Sequence, residues 1–143
     1  MIKNKALYAS KTDSWGTPEK LYQELNKIYK FKLDPCCDEL NKKHDKNYFT
    51  KKDNGLIQDW SKYKSVFMNP PYGREIKSWV KKAYEENKKG CLVVCLLPAR
   101  TDTKWFHDYI YKKHRIDFIK GRLRFGNAIE NAPFPSMIVY MEV

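Results

Sequence analysis

The stretch Ser65-Val66-Phe67-Met68-Asn69-Pro70-Pro71-Tyr72-Gly73 joins a short apolar run to a pair of prolines. Val66, Phe67 and Met68 favour extended structure, so the run predicts a buried strand. Two consecutive prolines lack N–H donors and have φ fixed, so neither a ladder nor a helix continues through them. The expected result is a rigid loop at a strand's carboxyl end, where open α/β sheets bind ligands. Asn69 offers a side-chain carbonyl acceptor, the Pro70 and Pro71 carbonyls offer more, and Tyr72 offers a flat π face. That set suits a planar ring bearing an exocyclic amine. The plainer alternative is a proline turn capping a core strand, with the tyrosine facing solvent.

Downstream, residues 75–89 predict an amphipathic helix. Ile76, Trp79, Val80, Ala83 and Tyr84 recur on one face, Lys and Glu fill the other, and Gly90 supplies the C′ stop. Residues 91–97 are an unbroken apolar run in the manner of a central parallel strand, closed by Pro98. Thr101 or Asp102 is the expected cap of a helix carrying Trp105, Phe106, Tyr109 and Ile110. A short strand over 115–119 follows. Residues 120–126 alternate basic and apolar side chains between glycines, as a hairpin arm would. After an irregular loop over 127–135, residues 136–142 form the last strand.

Upstream, residues 1–14 are polar and expected to be a flexible segment. Residues 15–143 are then a single domain. Thr17 is the expected N-cap of a helix to about Tyr29, with Pro18 at its first position. Trp15 and Thr17 would face a ligand from that helix start. Residues 31–36 predict an early strand ended by Pro35. Asp34 at its carboxyl end is placed to meet a cationic ligand or a ribose hydroxyl, or simply to cap the loop. A short strand is expected around Tyr48-Phe49, and Asp53-Asn54-Gly55-Leu56 reads as a turn. Asp53 could accept from the adenine or ribose of a nucleoside cofactor, or only close that turn. The glycine-rich turn of many nucleotide folds is missing.

The chain has 143 residues, with 28 Lys and Arg against 17 Asp and Glu, a formal +11. Such an excess points to a polyanion, nucleic acid first. Cys36, Cys37, Cys91 and Cys95 lack CxxC spacing, so buried thiols are expected and no metal site. No apolar run reaches membrane-spanning length and no secretory h-region follows Met1, which makes reducing cytoplasm the expected compartment. Strand–helix–strand–helix–strand and a final hairpin strand imply an α/β fold. Its sheet is mostly parallel, flanked by helices, with an antiparallel C-terminal strand.

Asn69-Pro70-Pro71-Tyr72 after a hydrophobic strand resembles the catalytic motif of S-adenosylmethionine-dependent amino-methyltransferases. Further stretches match in order: Trp15-Gly16-Thr17-Pro18, Leu33-Asp34-Pro35-Cys36, Asp53-Asn54-Gly55-Leu56 with Trp60, and Leu97-Pro98-Ala99-Arg100-Thr101-Asp102-Thr103. Gly121-Arg122-Leu123 with Phe125, and Ala132-Pro133-Phe134-Pro135-Ser136, complete the set. Together they resemble the phage-type DNA N6-adenine methyltransferases, the Dam family of phages and prophages.

The resemblance implies a compact class I, Rossmann-like methyltransferase domain, S-adenosylmethionine as donor, and adenine N6 in DNA as acceptor within the bacterial host cytoplasm. It makes Asn69, Pro70, Pro71 and Tyr72 the catalytic set, and Trp15, Thr17, Asp34, Cys36 and Asp53 the cofactor-binding set. Arg100 is expected at a phosphate or base, with a structural ion pair as its alternative. Arg122 and Arg124 on the hairpin arm are the expected DNA contacts, since a two-stranded ribbon enters the major groove. A half-buried strand would show the same alternation. Two other readings stay open: amino-methylation of RNA or of a protein glutamine by the same pocket, and a nucleic-acid-binding module without turnover.

Overall fold

The prolines end the decisive strand where expected: β1 spans Ser65–Met68, and Asn69 follows it at the carboxyl end. The computed structural model describes residues 15–126 and 130–143; the expected flexible segment 1–14 lies outside them. β2 (Leu92–Pro98) runs parallel to β1, with Phe67 opposite Val94. A connection between parallel strands needs a crossover element, and α2 (Ile76–Lys88) supplies it. Ile76, Trp79, Val80 and Ala83 are buried along one face of α2, and Gly90 beyond it takes φ +99°, a conformation that favours glycine.

After α3 (Lys104–Tyr109), β3 (Arg115–Phe118) and β4 (Ser136–Met141) complete a sheet of order β1-β2-β4-β3, with β4 antiparallel to both neighbours. Every residue of β4 is buried, as are all residues of β2 after Leu92. The first helix, α1, spans Glu19–Tyr29. The described residues therefore form a mixed α/β fold of four strands and three helices.

Besides the short strand expected around Tyr48-Phe49, which is a single bridge at Tyr48, four sequence expectations change. The strand over 31–36 is reduced to two parallel bridges, Leu33 with Val66 and Asp34 with Tyr48, because Pro35 has no N–H to extend the ladder. Pro18, not Thr17, occupies the N-cap of α1, and no side chain caps that helix; Thr17 has another partner, described below. Thr103, rather than Thr101 or Asp102, caps α3, its hydroxyl accepting from the Phe106 N–H at 3.3 Å. The hairpin arm over 120–126 is not a strand. Its backbone instead bonds singly, the Ala132 N–H to the Leu123 carbonyl at 2.8 Å and the Gly126 N–H to the Gly16 carbonyl at 2.8 Å. Residues 127–129 of the following loop lie outside the described residues.

Glu86 departs most from its expected surface position: it is 1% exposed. Its carboxylate accepts from the Trp60 N–H at 3.0 Å, Lys82 at 2.9 Å and Lys89 at 2.8 Å, tying α2 to the segment before β1. Burial pushes this carboxyl up, but the hydrogen bonds from Lys89, Lys82 and the Trp60 N–H outweigh it and hold the group below its ordinary range. Its stabilisation is therefore present above the ordinary glutamate value and is lost as pH falls through the depressed one. Glu86→Gln is expected to lower the unfolding free energy by about 1–3 kcal/mol at pH 7. Urea titrations should find the gap between variant and wild type closing below a pH of about 4.3. A gap that persists undiminished at pH 3 would contradict the assigned charge.

Candidate active site

Asn69 stands on the wall of a cavity of about 590 Å³ with Pro70 and Pro71. Trp15, Thr17, Asp34, Cys36, Gly55 and Trp79 also line it. The volume falls inside the usual range for small-molecule pockets. A second cavity of about 580 Å³ lies between α1 and residues 42–46; its wall carries none of Asn69, Pro70 or Pro71, so it stands apart from the motif.

The Asn69 side chain is held at one end only. Its Nδ2 donates to the Trp15 carbonyl and, at 2.9 Å, to Thr17 Oγ1. Its Oδ1 is buried and has no hydrogen-bond partner. A buried acceptor without a donor costs about 1–3 kcal/mol and calls for an explanation. At the wall of a cavity beside a rigid proline pair, the explanation with chemical content is a ligand N–H.

Tyr72 does not face solvent; it is 2% exposed. Its hydroxyl donates to the Leu96 carbonyl at 3.1 Å, and burial pushes its pKa well above the ordinary tyrosine value. Its ring meets Phe125 and Phe134 edge to face, with centroids 6.2 and 5.5 Å away. Trp15 packs on the same two phenylalanines at 5.3 and 5.2 Å. The solvent-facing tyrosine of the plainer sequence alternative is therefore not what forms.

The remaining expected residues divide. Trp15, Thr17, Asp34 and Cys36 are brought together on the cavity wall. The Asp34 carboxylate accepts from the Lys43 N–H at 2.9 Å and the Cys36 N–H at 3.4 Å, so it also organises its own loop. Burial pushes that carboxyl up to about 7, against the pull of those N–H groups. Burial likewise pushes the Cys36 thiol far up, with the Asp34 charge adding to it, which leaves no reactive thiolate.

Asp53 is not on this wall: it is exposed, and its carboxylate accepts from the Thr50 N–H at 2.9 Å and the Thr50 hydroxyl at 3.1 Å. Those bonds close the turn. Arg100 is exposed with its guanidinium 6.0 Å from the Phe134 ring centre, beside the Tyr72 cluster. Arg122 and Arg124 are exposed on an irregular segment, flanking Leu123 and next to buried Phe125.

Sequence reasoning missed Gly55 and Trp79. A Cβ at Gly55 would collide with the Pro35 carbonyl oxygen, and would come within 3.1 Å of the Trp79 ring. The turn signal around Gly55 was visible, but not what the turn touches. Trp79 stacks on Trp60, with centroids 6.3 Å apart. Trp60 spends its indole N–H on the Gly55 carbonyl at 2.9 Å. Among the described residues no group of three His, Cys, Asp or Glu could hold a metal ion, and no helix is long and apolar enough to cross a membrane.

The family model described as DNA N-6-adenine-methyltransferase (Dam) matches residues 4–141 of this chain. A protein of Escherichia phage T1 with the name DNA N-6-adenine-methyltransferase is 38% identical over 95 residues, covering 66% of this chain and 39% of that protein. A protein of the same name from Haemophilus phage HP1 (strain HP1c1) is 30% identical over 141 residues, covering 93% of this chain and 80% of that protein. The chain thus matches about two fifths of the first relative and four fifths of the second. With nearly its whole length inside one family model, and the motif loop opening on a cavity, the chain belongs to the DNA N-6-adenine-methyltransferase (Dam) family.

Proposed function

We propose that this chain transfers a methyl group from S-adenosylmethionine to the N6 amino group of adenine in DNA, as a phage- or prophage-encoded enzyme. The observation that carries the reading is the Asn69 amide, held through Nδ2 with its Oδ1 left unpaired beside the cavity. Membership of the family supports methyl transfer from S-adenosylmethionine generally. The sheet order, with its antiparallel last strand, agrees with the end of a class I methyltransferase sheet.

Adenine N6 lies inside a duplex, so the base is flipped out at a cost of a few kcal/mol. Tyr72 stacks on the extruded ring and returns about 1–3 kcal/mol. Because Phe125 and Phe134 now contact that tyrosine, an entering base takes the place of one of them. Asn69 Oδ1 and the Pro70 carbonyl accept hydrogen bonds from the two N6–H groups, and once the methyl group is on nitrogen one of those protons leaves to solvent. The nitrogen lone pair, otherwise delocalised into the ring, is then free to point at the donor. Trp15, Asp34 and Cys36, which line the same cavity, hold the donor. When bound there, S-adenosylmethionine supplies an electrophilic methyl group on its sulfonium. The protein's part is positioning, plus fixed carbonyl dipoles facing an amine that becomes positive. No histidine or thiolate is required. Arg100, Arg122 and Arg124 contact DNA phosphates beside the flipped base.

Methyl transfer from labelled S-adenosylmethionine to unmethylated duplex DNA, followed by nucleoside analysis, tests the reading. N6-methyladenine is expected. Its absence in a protein that still binds S-adenosylhomocysteine would overturn the reading and turn the search to RNA acceptors.

Tyr72 gives a separate test. Tyr72→Phe removes only the bond to Leu96 and should cost about 1 kcal/mol of stability with transfer retained. Tyr72→Ala also removes the ring packed against Phe125 and Phe134, costs about 3–5 kcal/mol, and should bind S-adenosylhomocysteine without transferring. A folded Tyr72→Ala protein that loses S-adenosylhomocysteine binding would move Tyr72 from the acceptor side to the donor side.

A further inference from the structure

The two ends of an asparagine amide have nearly the same shape, so its neighbours decide which end carries the acceptor. The Trp15 carbonyl has no hydrogen to give, so only the NH2 end of Asn69 can face it. The same nitrogen donates to Thr17 Oγ1 at 2.9 Å, which fixes a second direction for the amide plane. With both anchors on Nδ2, Oδ1 falls on the other side, buried and unpaired. Thr17 is 5% exposed, and its hydroxyl serves no helix cap, since Pro18 occupies the N-cap of α1 and no side chain bonds there. The helix-start motif thus spends its threonine on the asparagine that follows β1, 52 residues away in sequence.

We propose that Thr17 is a positioning residue for the acceptor site: together with the Trp15 carbonyl it locks the Asn69 amide so that Oδ1, and not the NH2 group, meets the target amine. The proposal rests on the adenine N6 reading above, and it gives Thr17 a role separate from any contact with the donor. Without the lock, rotation about the last side-chain bond presents NH2 to an amine that has only N–H groups to offer. That arrangement sets donor against donor and leaves the nitrogen unheld.

Thr17→Val keeps the side-chain shape and removes the hydroxyl; Thr17→Ser restores it. Expected for Thr17→Val is a fall in kcat of about 10–100-fold, the cost of a misplaced reacting group. The dissociation constant for S-adenosylhomocysteine, measured by calorimetry, should be unchanged, and Thr17→Ser should recover most of the rate. In 15N-labelled protein the Asn69 side-chain NH2 signals, identified by their loss in Asn69→Ala, should shift in Thr17→Val and return in Thr17→Ser. If Thr17→Val instead weakens S-adenosylhomocysteine binding by the factor it removes from kcat/KM, with the Asn69 signals in place, Thr17 is a donor contact and the proposal fails. It fails equally if kcat does not change. Should the wild-type protein make no N6-methyladenine, the functional reading is what has failed, and the Asn69 amide signals alone still decide whether Thr17 holds that side chain.

Discussion

Asn69→Ala is expected to lower methyl transfer to adenine N6 by about 10²–10³-fold, the effect of removing one preorganised hydrogen-bonding group aimed at developing charge. The alanine leaves nothing in place of Oδ1, so one N6 proton is unheld and the nitrogen lone pair stays in the ring. The Pro70 carbonyl remains, which is why the loss is partial rather than complete. The same change also frees the Trp15 carbonyl and the Thr17 hydroxyl of their shared donor. A stability cost of about 1 kcal/mol per lost bond should accompany the kinetic one. The two are separable: thermal unfolding reads the first, and kcat with S-adenosylhomocysteine affinity reads the second. Equal falls in kcat and kcat/KM mark an interaction made in the transition state. A variant that retains wild-type kcat would remove Asn69 from the chemistry.

Gly55→Ala should be the most damaging single-methyl change in the cavity beside the motif loop. The new Cβ would collide with the Pro35 carbonyl oxygen and lie 3.1 Å from both the Pro35 carbonyl carbon and the Trp79 ring. Two of those three contacts are backbone, which cannot swing away as a flexible side chain would. Either residues 53–57 or the loop after Asp34 must move, and both Asp34 and Gly55 wall the cavity. Overpacking of this kind costs about 1–3 kcal/mol of stability. The Gly55 carbonyl also accepts from the Trp60 indole, so the shift reaches the core. S-adenosylhomocysteine should bind about tenfold more weakly, equivalent to about 1.4 kcal/mol. Calorimetry and thermal unfolding together check this. Normal binding with an unchanged melting temperature would mean that the two segments do not approach as closely as described.

The parallel pair β1 and β2, the helix between them, the glycine stop after α2 and the proline-stiffened loop after β1 were all legible in the sequence. So was the family, because its motifs recur in order from Trp15 to Ser136. Each of those signals is local: an apolar run, a helical period, a missing N–H or a φ that only glycine tolerates. What failed was equally specific. The alternation around Arg122 and Arg124 has the period of a strand, yet the segment pairs through single bonds to Ala132 and Gly16 instead of a ladder. Glu86 sits among charged neighbours on its helix, yet only the approach of Trp60, 26 residues earlier, buries it. Asp53 and Asp34 look alike in sequence as acids beside a turn, and only the placement of their loops puts one on the cavity wall and the other in solvent. Thr17 looks like a cap until Asn69, 52 residues on, claims its hydroxyl. Sequence by itself determined β1, β2, the helix between them and the chemistry available at the motif, since those depend on covalent neighbours. The tertiary structure alone decided the direction of the Asn69 amide, the burial of Tyr72 and the contact that keeps Gly55 a glycine, because each depends on which distant backbone packs against it.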